Sequence, residues 1–388
     1  MKKLLIVNNN MKIGGVQKSL YNLLWNIHEE YEITLYLFRK EGAYLSSLPS
    51  NVRVLEDHSL FSLLGCSQGE CRGLRRWMRG FLVLLTRAFG RHWVMKLLLL
   101  SKRTMKEAYD CAISFLHNGH AGQFYGGVQD FVLERVRAGR KIAFLHCDYG
   151  ISGAHERHND RLLERFDIVA ACSEGCRETL ISALPHMAEH CTVVHNFHRY
   201  EEILALSAQS PKIYEAGCLH LLMVCRMAHE KGVERAIAAV KRAKEEGFCL
   251  KLHLVGDGAM TQKLKQLCRQ EQLGDTVCFY GEQRNPYAYM KNADLFLISS
   301  LHEAAPMVIE EAAALALPVL SVRTTSAEEM VAQRGRGWVC DNTDEALTAE
   351  LLRLLAMPEL LTERRSFLGK LSPENDLARR EFSSLIYK

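Results

Sequence analysis

Residues 293–322 read ADLFLISSLHEAAPMVIEEAAALALPVLSV and carry the clearest structural pattern in the chain. Its first part, ADLFLIS at 293–299, is a near-continuous apolar run that predicts a buried strand. Residues 306–316 predict a helix, and LPVLSV at 317–322 predicts the next strand. A strand, a helix and a second strand in this order are typical of a parallel sheet covered by helices.

Two glutamates in this stretch suit a ligand site. Glu303 falls in the loop at the carboxyl end of the first strand, and Glu311 lies inside the helix on the flank facing that loop. Open parallel sheets bind ligands in the crevice at the carboxyl ends of their strands. Carboxylates there can accept hydrogen bonds from sugar and ribose hydroxyls, and the helix N-terminus can donate N–H groups to a phosphate. The alternative is a pair of solvated glutamates on the flank of a helix.

Residues 292–322 as a whole resemble the donor-binding signature of family 4 retaining glycosyltransferases, which use nucleotide-sugars. The resemblance implies an α/β protein of the GT-B fold, with two doubly wound Rossmann-like domains facing a deep cleft. It implies that Glu303 positions the transferred sugar and that Glu311 holds the ribose. It also implies that Met307 and Val308 lie against the donor.

Apolar strands alternate with amphipathic helices along the whole chain, as this fold requires. The predicted strands are residues 3–7, 33–37, 52–55, 111–115, 141–146, 168–171 and 192–195 in the first half, and 219–225, 251–255, 277–280, 295–299 and 318–322 in the second. The predicted domains are residues 1–196, which bind the acceptor, and 218–371, which bind the nucleotide-sugar, joined by a linker at 197–217. A last helix, residues 372–388, crosses back onto the first domain in this family.

The diphosphate of a nucleotide-sugar needs positive charge around it. Arg226 and Lys231 follow a predicted strand in LMVCRMAHEKG, residues 222–232, and can supply bidentate and point-charge contacts. The run resembles the family's Gly-Arg-x-x-x-x-Lys-Gly element with Cys225 in place of the first glycine, which implies that both cations stabilise developing phosphate charge. Gly256 and Gly281 match glycines of the family's donor site. The alternative for the two cations is a pair of solvated loop residues.

The first half offers fewer candidates. Gly14 and Gly15 lie between a strand and a helix and resemble the family's N-terminal Gly-Gly loop, which contacts donor phosphate and acceptor. His146 ends a strand, where a histidine of the family lies next to the transferred sugar and a catalytic role is implied. A hydrogen bond within its own loop is the alternative. His117 and His120 follow another strand, and contact with the acceptor and a role in loop structure both stay open for them.

The amino-acid composition indicates an ordinary globular protein. Apolar residues make up 48% and charged residues 24% of the 388, as in ordinary globular proteins. Thirteen scattered cysteines and the short apolar run at the N-terminus predict reduced thiols in a cytoplasmic protein. Because no Asp-x-Asp or carboxylate cluster follows a strand, we expect no cofactor and no catalytic metal.

A basic segment occupies residues 72–106, with ten Lys and Arg and no acidic residue. As a helix it places arginines on one face, namely Arg72, Arg75, Arg76, Arg79 and Arg87. The other face carries apolar side chains, namely Leu74, Trp77, Met78, Phe81, Leu85 and Phe89. Two interpretations stay open: the segment contacts an anionic membrane, or its apolar face covers the first domain's sheet. Nucleic-acid binding is not indicated, because no aromatic stacking platform accompanies the charge.

The sequence thus predicts a retaining, metal-independent glycosyltransferase of the hexosyltransferase type. It would move a sugar from a nucleotide-sugar, with UDP favoured by family frequency, to a glycan or a polyprenyl- or lipid-linked acceptor in surface polysaccharide biosynthesis of the cell envelope. Peripheral contact with the inner face of the cytoplasmic membrane follows if the basic segment binds lipid. The alternatives are a nucleotide-sugar epimerase of the same fold and a non-catalytic partner subunit.

Overall fold

The computed structural model describes residues 1–66, 69–209, 211–212 and 214–387. The chain divides into two compact units, Met1–Phe197 with Asn375–Lys388, and His198–Glu374. Most of the predicted linker, residues 197–217, belongs to the second unit, although Ser210 and Ile213 lie outside the described residues. Lys388, the last residue of the predicted final helix, lies outside them too.

The first unit is built on a parallel sheet. Within the described ranges its seven strands are β1 (Lys3–Asn8), β2 (Glu32–Leu37), β3 (Arg53–Glu56), β4 (Ala108–Ser114), β5 (Arg137–Leu145), β6 (Ile168–Ala171) and β7 (Cys191–Val193). They lie in the order β3-β2-β1-β4-β5-β6-β7, and each neighbouring pair is parallel. β1 and β4 are buried almost throughout, as expected for central strands with both faces covered.

The helices of the first unit are α1 (Gly15–Ile27), α2 (Gly73–Phe89), α3 (Arg91–Leu100), α4 (Val128–Arg135), α5 (Arg157–Leu163), α6 (Glu174–Ala183) and, from the end of the chain, α14 (Asp376–Tyr387). The last helix packs against this unit through Phe382, whose ring lies 5.9 Å from that of Tyr31 and 6.2 Å from that of Phe197. A 3.0 Å ion pair between His195 and Glu381 adds a polar contact. The buried aromatic side chain explains why the chain's final segment returns to this unit.

The second unit contains another parallel sheet. In the part of the chain that the structure describes, its six strands are β8 (Leu219–Val224), β9 (Leu250–Val255), β10 (Val277–Gly281), β11 (Leu295–Ile298), β12 (Val319–Val322) and β13 (Gly337–Cys340). Their order is β10-β9-β8-β11-β12-β13. The helices of this unit are α7 (Tyr200–Ala208), α8 (Val233–Glu245), α9 (Thr261–Gln270), α10 (Tyr287–Met290), α11 (Met307–Ala314), α12 (Asp344–Ala356) and α13 (Pro358–Leu368).

Helix α8 shows how the sequence pattern sets the packing. Its buried side chains recur every three or four residues, at Val233, Ala236, Ile237, Val240 and Ala243. That spacing gives one apolar stripe along a helix. The stripe packs in the core cluster that also contains β8 and β9 residues, which fixes the helix on the sheet.

Each predicted strand overlaps an observed one, but the sequence pattern does not predict β13. Its four residues, GWVC, are too few to show an alternation. A Cβ at Gly337 would overlap the carbonyl oxygen of Val319, so glycine lets β13 pair closely with β12.

The prediction that all thiols are reduced is wrong at one pair. Cys218 and Cys249 form a disulfide, with their Cα atoms 4.8 Å apart. They lie just before β8 and β9, and the pairing of these neighbouring parallel strands brings them together. Their 31-residue separation in the sequence gives no sign of this contact.

Candidate active site

The second sheet changes direction between β8 and β11. The chain adds β9 and β10 on one side of this pair, and β12 and β13 on the other. Connections that leave in opposite directions open a crevice at the carboxyl ends of the two strands, where open α/β sheets bind ligands. The predicted phosphate loop follows β8 and the loop with Glu303 follows β11, so the structure brings both to this point.

Lys231 and Glu303 meet at the crevice. The Lys231 Nζ lies 2.5 Å from the Glu303 Oε1, and the hydroxyl of Ser300 donates to the same oxygen at 2.8 Å. The two charged side chains are 23% and 14% exposed. The Glu303 carboxylate is therefore oriented by two hydrogen-bond donors, and the Lys231 ammonium beside it is partly exposed to solvent.

Glycine at position 232 makes this meeting possible. Gly232 has φ +59°, and a Cβ there would overlap the carbonyl oxygen of Ser299 at the end of β11. The Ser299 hydroxyl in turn donates to the Gly232 carbonyl at 2.8 Å, and the Leu301 N–H donates to the Glu230 carbonyl at 2.9 Å. The loop after β8 thus lies directly on the loop after β11, which places Lys231 beside the glutamate.

Arg226 makes a different ion pair, which was not predicted from the sequence. Its Nη2 lies 2.6 Å from the Glu230 Oε1, and its side chain is 70% exposed. The spacing of four residues is a signal that could have indicated this pair. Exposed pairs of this kind contribute little to stability, so Arg226 can exchange its carboxylate for a phosphate at small cost.

Helix α11 contributes its N-terminus. It begins at Met307 after Pro306, and no side chain caps its first N–H groups. Met307 is buried and Val308 is half-buried. The candidate ribose ligand, Glu311, is 1% exposed. The first turn of α11 can therefore offer backbone donors to an anion.

Glu310, the acidic neighbour of Glu311, has structural partners. It lies 2.5 Å from an Arg336 nitrogen and 3.3 Å from one of Arg334. Burial, the largest single effect, would raise the pKa of the Glu310 carboxyl. The charges of Arg336, His198 and Arg334 and the hydrogen bond from Arg336 together outweigh burial and hold this pKa below its ordinary value. The second charge is neutralised within the fold.

The candidate glycines have structural reasons of their own. Gly256 has φ +130°, and a Cβ there would overlap the carbonyl oxygen of Cys225, the residue after β8. Burial raises the pKa of the Cys225 thiol to about 12, so it stays neutral. Gly281, with φ +68°, has open space around its α-carbon. Close packing between neighbouring strand ends is thus sufficient to explain Gly256, while the positive φ favours glycine at position 281, the last residue of β10.

The first sheet has its own change of direction, between β1 and β4. The loop after β1 leads to Gly14, which precedes α1 without a side-chain cap, and the first turn of α1 holds no acidic residue. A Cβ at Gly15 would meet nothing within 4 Å. This end of α1 therefore offers open space at Gly15 and the backbone N–H groups of a helix N-terminus.

His146 and His117 follow the neighbouring strands β5 and β4. Burial lowers the pKa of His146 to about 3, with the charge of His117 adding to the effect, and burial lowers the pKa of His117 to about 4. The His146 Nε2 and the His117 Nδ1 are buried without a hydrogen-bond partner among the described residues. Both imidazoles are neutral near pH 7, and each keeps a ring nitrogen for a further hydrogen bond.

His120 has a local role. Its side chain is exposed, and its Nδ1 accepts a hydrogen bond from the Gly122 N–H at 3.1 Å. Of the two interpretations left open for this residue, the contact supports loop structure.

Within the described ranges, no group of three or more His, Cys, Asp or Glu side chains is placed to hold a metal ion. The two predicted cations, Lys231 and Arg226, both lie in the loop that follows β8.

A family model provides an independent comparison. Residues 217–367 match the model described as "Glycosyl transferases group 1". These residues form a group 1 glycosyl transferase domain. They coincide with most of the second unit and include β8 to β13.

Relatives named as glycosyltransferases also match parts of the chain. The chain is 26% identical over 266 residues to the amylovoran biosynthesis glycosyltransferase AmsK of Erwinia amylovora, an alignment covering 64% of this chain and 62% of AmsK. It is 28% identical over 183 residues to the putative colanic acid biosynthesis glycosyltransferase WcaL of Escherichia coli, covering 43% and 45% of the two chains. It is 25% identical, over 41% of this chain and 42% of the relative, to a Campylobacter jejuni enzyme named as an N-acetylgalactosaminyltransferase acting on a diphospho-undecaprenol-linked sugar. The matches span less than two thirds of each relative.

Solved structures share the fold over the full length. The structure of Anabaena Alr3699/HepE in complex with UDP and glucose has a TM-score of 0.70 and 17% identity, covering 100% of both chains. The apo lipopolysaccharide outer core galactosyltransferase WaaB has a TM-score of 0.64 and 17% identity, covering 100% of this chain and 99% of WaaB. The prediction of a GT-B fold with two Rossmann-like sheets is confirmed.

Outside the group 1 domain, α2 and α3 form a helical hairpin, residues 73–100, joined at Gly90 with φ +81°. Large apolar side chains of α2 face outward: Leu74, Trp77, Phe81 and Leu84 are 60–79% exposed. They recur every three or four residues and so form one stripe along the helix. On α3, Trp93 is 58% and Leu100 is 82% exposed. A groove of about 270 Å³ between the helices is lined by Leu85, Phe89, Trp93, Val94 and Leu97.

The structure corrects the predicted orientation of this segment. The interpretation that its apolar face covers the sheet is wrong for the outward stripe. Arg75 and Arg79 point toward the unit, where they donate to the Ser62 hydroxyl at 2.6 Å and the Cys66 carbonyl at 2.9 Å. Long apolar stems let arginines take such inward positions. Other arginines of the predicted basic face, Arg72, Arg76 and Arg87, remain exposed beside the stripe.

None of the helices in the described part of the chain combines the length and apolar character needed to cross a membrane.

Proposed function

We propose that the protein is a retaining glycosyltransferase that uses a nucleotide-sugar, favoured as a UDP-sugar, and needs no catalytic metal. The acceptor is a glycan or a lipid-linked sugar in surface polysaccharide biosynthesis. The observation that carries the proposal is the contact between Lys231 and Glu303 where the group 1 sheet changes direction.

Each member of the pair suits one half of a nucleotide-sugar. The ammonium of Lys231 attracts the diphosphate, and Arg226 gives up its exposed pair with Glu230 to bind the same group. As the phosphate draws Lys231 away, sugar hydroxyls take its place on the carboxylate of Glu303. Exchange of one set of charge-assisted bonds for another keeps both groups paired throughout.

The chemistry follows from where charge develops. The acceptor hydroxyl oxygen forms a bond to the anomeric carbon as the bond from that carbon to the diphosphate oxygen breaks. The acceptor's proton passes to the departing phosphate oxygen on the same face, which retains the configuration. Lys231 and Arg226 stabilise the charge on the leaving diphosphate, and the N-terminus of α11 adds backbone donors.

His146, which the family resemblance assigns to the transferred sugar, is proposed to be a neutral hydrogen-bonding group. Its Nε2 has no hydrogen-bond partner among the described residues, and its lowered pKa keeps it uncharged near neutral pH.

The names of relatives support the choice of substrates. HepE is described in complex with UDP and glucose, AmsK and WcaL are named for the biosynthesis of amylovoran and colanic acid, and the Campylobacter enzyme for an undecaprenol-linked acceptor.

Calorimetric titration with UDP, GDP and ADP, in EDTA, tests the donor site. We expect one nucleotide to bind and Arg226→Ala to weaken it. Arg242→Ala is the matched control, because Arg242 also forms an exposed pair with a glutamate four residues later, at 2.8 Å. Equal affinity in both variants would refute the role of Arg226. Binding only with added metal would refute metal independence.

Product analysis separates the alternative functions. A transferase given a nucleotide-sugar and an acceptor releases the nucleotide, whereas an epimerase changes the sugar without an acceptor. A non-catalytic subunit binds neither nucleotide nor sugar. Inversion of the anomeric configuration in the product would refute the retaining mechanism.

The hairpin is proposed to contact the surface of an anionic membrane. An outward apolar stripe flanked by exposed Arg76 and Arg87 matches a helix lying in the interface of a bilayer. Each cation near such a surface contributes about 1 kcal/mol.

Sedimentation with phosphatidylcholine vesicles containing phosphatidylglycerol tests this contact. We expect the protein to sediment at low salt and Phe81→Ser to weaken the association. Ile151→Ser is the matched control, because Ile151 and Phe81 are 61% and 60% exposed in the same unit. Equal sedimentation of the two variants, or none of the wild type, would refute the membrane contact.

A further inference from the structure

Arg91, the first residue of α3, has a fully buried side chain although it belongs to the exposed hairpin. Its Nη2 donates to the Asn159 Oδ1 and lies 3.3 Å from the Glu156 Oε1. Its backbone N–H donates to the Ala121 carbonyl at 2.9 Å. One residue thus ties the hairpin to α5 and to the loop that follows β4.

Asn159 extends the connection. Its amide nitrogen donates to the Gly119 carbonyl at 3.1 Å and to the Ala154 carbonyl at 2.8 Å. Gly119 and Ala121 both lie in residues 115–127, which we call the β4 loop. This loop leaves the first sheet where the chain changes direction, and it carries His117 with its unpaired Nδ1. Arg91 therefore holds the β4 loop at two points, once directly and once through Asn159.

The other end of the β4 loop is fixed by the same cluster. The Asn118 side chain accepts from the Gly127 N–H at 2.7 Å and donates to Asp130 at 3.2 Å. The Asp130 Oδ1 lies 3.0 Å from the His158 Nε2, and the positive charge of Arg91 also acts on the Asp130 carboxylate. Gly127 is also close to α3, because a Cβ there would lie 3.1 Å from the Met95 sulfur. The loop is thus packed between α3 and α4.

The chemistry of Arg91 indicates more than packing. Its Nε and Nη1 are buried without a partner among the described residues, and leaving such donors unpaired costs free energy. A buried ion pair can often be replaced as a whole by apolar side chains of similar volume without loss of stability. A buried arginine is required at this position when the hydrogen bonds that it makes from α3 to the β4 loop have a function of their own.

We infer that Arg91 is a positioning residue that couples the hairpin to the β4 loop, so that seating the hairpin on a lipid surface orders the loop and its His117. The inference rests on the proposed membrane contact. A lipid-linked acceptor reaches the protein only at a membrane surface, so this link orders a potential acceptor contact where the acceptor is available.

Hydrogen exchange of the full chain, followed by mass spectrometry, tests the coupling. We expect vesicles of phosphatidylcholine and phosphatidylglycerol to slow exchange in the hairpin and, by at least about threefold, in residues 115–127. In Arg91→Lys and Asn159→Ala the effect on the hairpin should remain, and the effect on the loop should be lost. Arg91→Lys keeps the charge and removes the forked donor, so the fold is expected to survive.

Arg135→Lys is the matched control. Arg135 holds the other end of α3, donating to the Leu99 carbonyl at 2.8 and 3.2 Å. This variant should transmit the effect to the β4 loop as the wild type does. Protection confined to the hairpin in the wild type, or an unchanged loop response in Arg91→Lys, would overturn the inference. Failure of the wild type to bind vesicles would overturn it together with the membrane contact, whereas UDP titration reports separately on the transferase function.

Discussion

Replacement of Lys231 by methionine tests the proposed donor site most directly. Methionine keeps an unbranched stem of similar length and removes the charge. In the structure the Lys231 Nζ lies 2.5 Å from Glu303, whose carboxylate is 14% exposed and keeps one hydrogen bond from Ser300. Hydrogen bonds to charged groups contribute about 1.5–3 kcal/mol. Because solvent and Ser300 partly compensate the carboxylate, we expect a loss of about 1–2 kcal/mol in the free energy of unfolding.

The same variant should lose nucleotide affinity. If Lys231 donates one charge-assisted bond to the diphosphate, its removal weakens UDP binding by about 1.5–3 kcal/mol, or roughly ten- to a hundredfold in Kd. Glu303→Gln should leave UDP affinity nearly unchanged, because that side chain is assigned to the sugar. It should abolish transfer from the nucleotide-sugar.

Urea denaturation and calorimetry of Lys231→Met, Glu303→Gln and the double variant form a double-mutant cycle. Lys241→Met is the matched control: its ammonium lies 2.5 Å from Glu271 in the same unit, away from the crevice. The assigned roles are wrong if Lys231→Met and Lys241→Met bind UDP equally well. They are also wrong if Glu303→Gln weakens UDP binding as much as Lys231→Met does.

Two further predictions concern stability. Gly256→Ala should destabilise the protein by at least about 2 kcal/mol in urea denaturation, because the new Cβ would overlap the Cys225 carbonyl and φ is +130°. Gly281→Ala should cost only about 1 kcal/mol, because the space around Gly281 is open. Equal losses of stability in the two variants would contradict the steric argument. Burial lowers the pKa of His146 to about 3 in the folded state, so the stability it contributes is complete above its ordinary pKa of about 6.5 and is lost as the pH falls toward about 3. His146→Gln should therefore reduce the loss of stability between about pH 7.5 and about pH 5, and an unchanged slope would show that His146 does not carry this dependence.

The sequence predicted the strands of both sheets because their apolar runs are bounded by polar loops, and this signal is local. It placed Glu303 and Lys231 each after a strand for the same reason. Their contact depends on β8 and β11 being neighbours in the sheet. In the sequence, 70 residues and two other strands lie between the end of β8 and the start of β11. Strand order is set by packing of the whole sheet, so only the family resemblance could supply it.

Other features of the structure could not be predicted from the sequence, because they depend on backbone contacts between distant segments. Nothing local in GWVC marks β13, whose close pairing depends on Gly337 meeting Val319. The sequence assigned Gly256 to ligand approach, whereas the structure shows that the Cys225 carbonyl already excludes a side chain there. A glycine in a loop near a site can therefore be required by backbone packing or by ligand binding. The sequence pattern around the glycine does not distinguish these two reasons.

The hairpin shows a different limit. Helical periodicity sorts side chains into two faces, but it does not say which face is turned toward the protein. The usual expectation, apolar side inward, fails for α2 because Arg75 and Arg79 find a hydroxyl and a carbonyl on the body of the first unit. Once those arginines are anchored, Trp77 and Phe81 must point outward, since they lie on the other side of the same helix. The anchoring that exposes the apolar stripe also brings Arg79 to 5.6 Å from the ring of Phe124 in the β4 loop, so the helix that carries the surface proposed to meet lipid also contacts the loop proposed to respond to it.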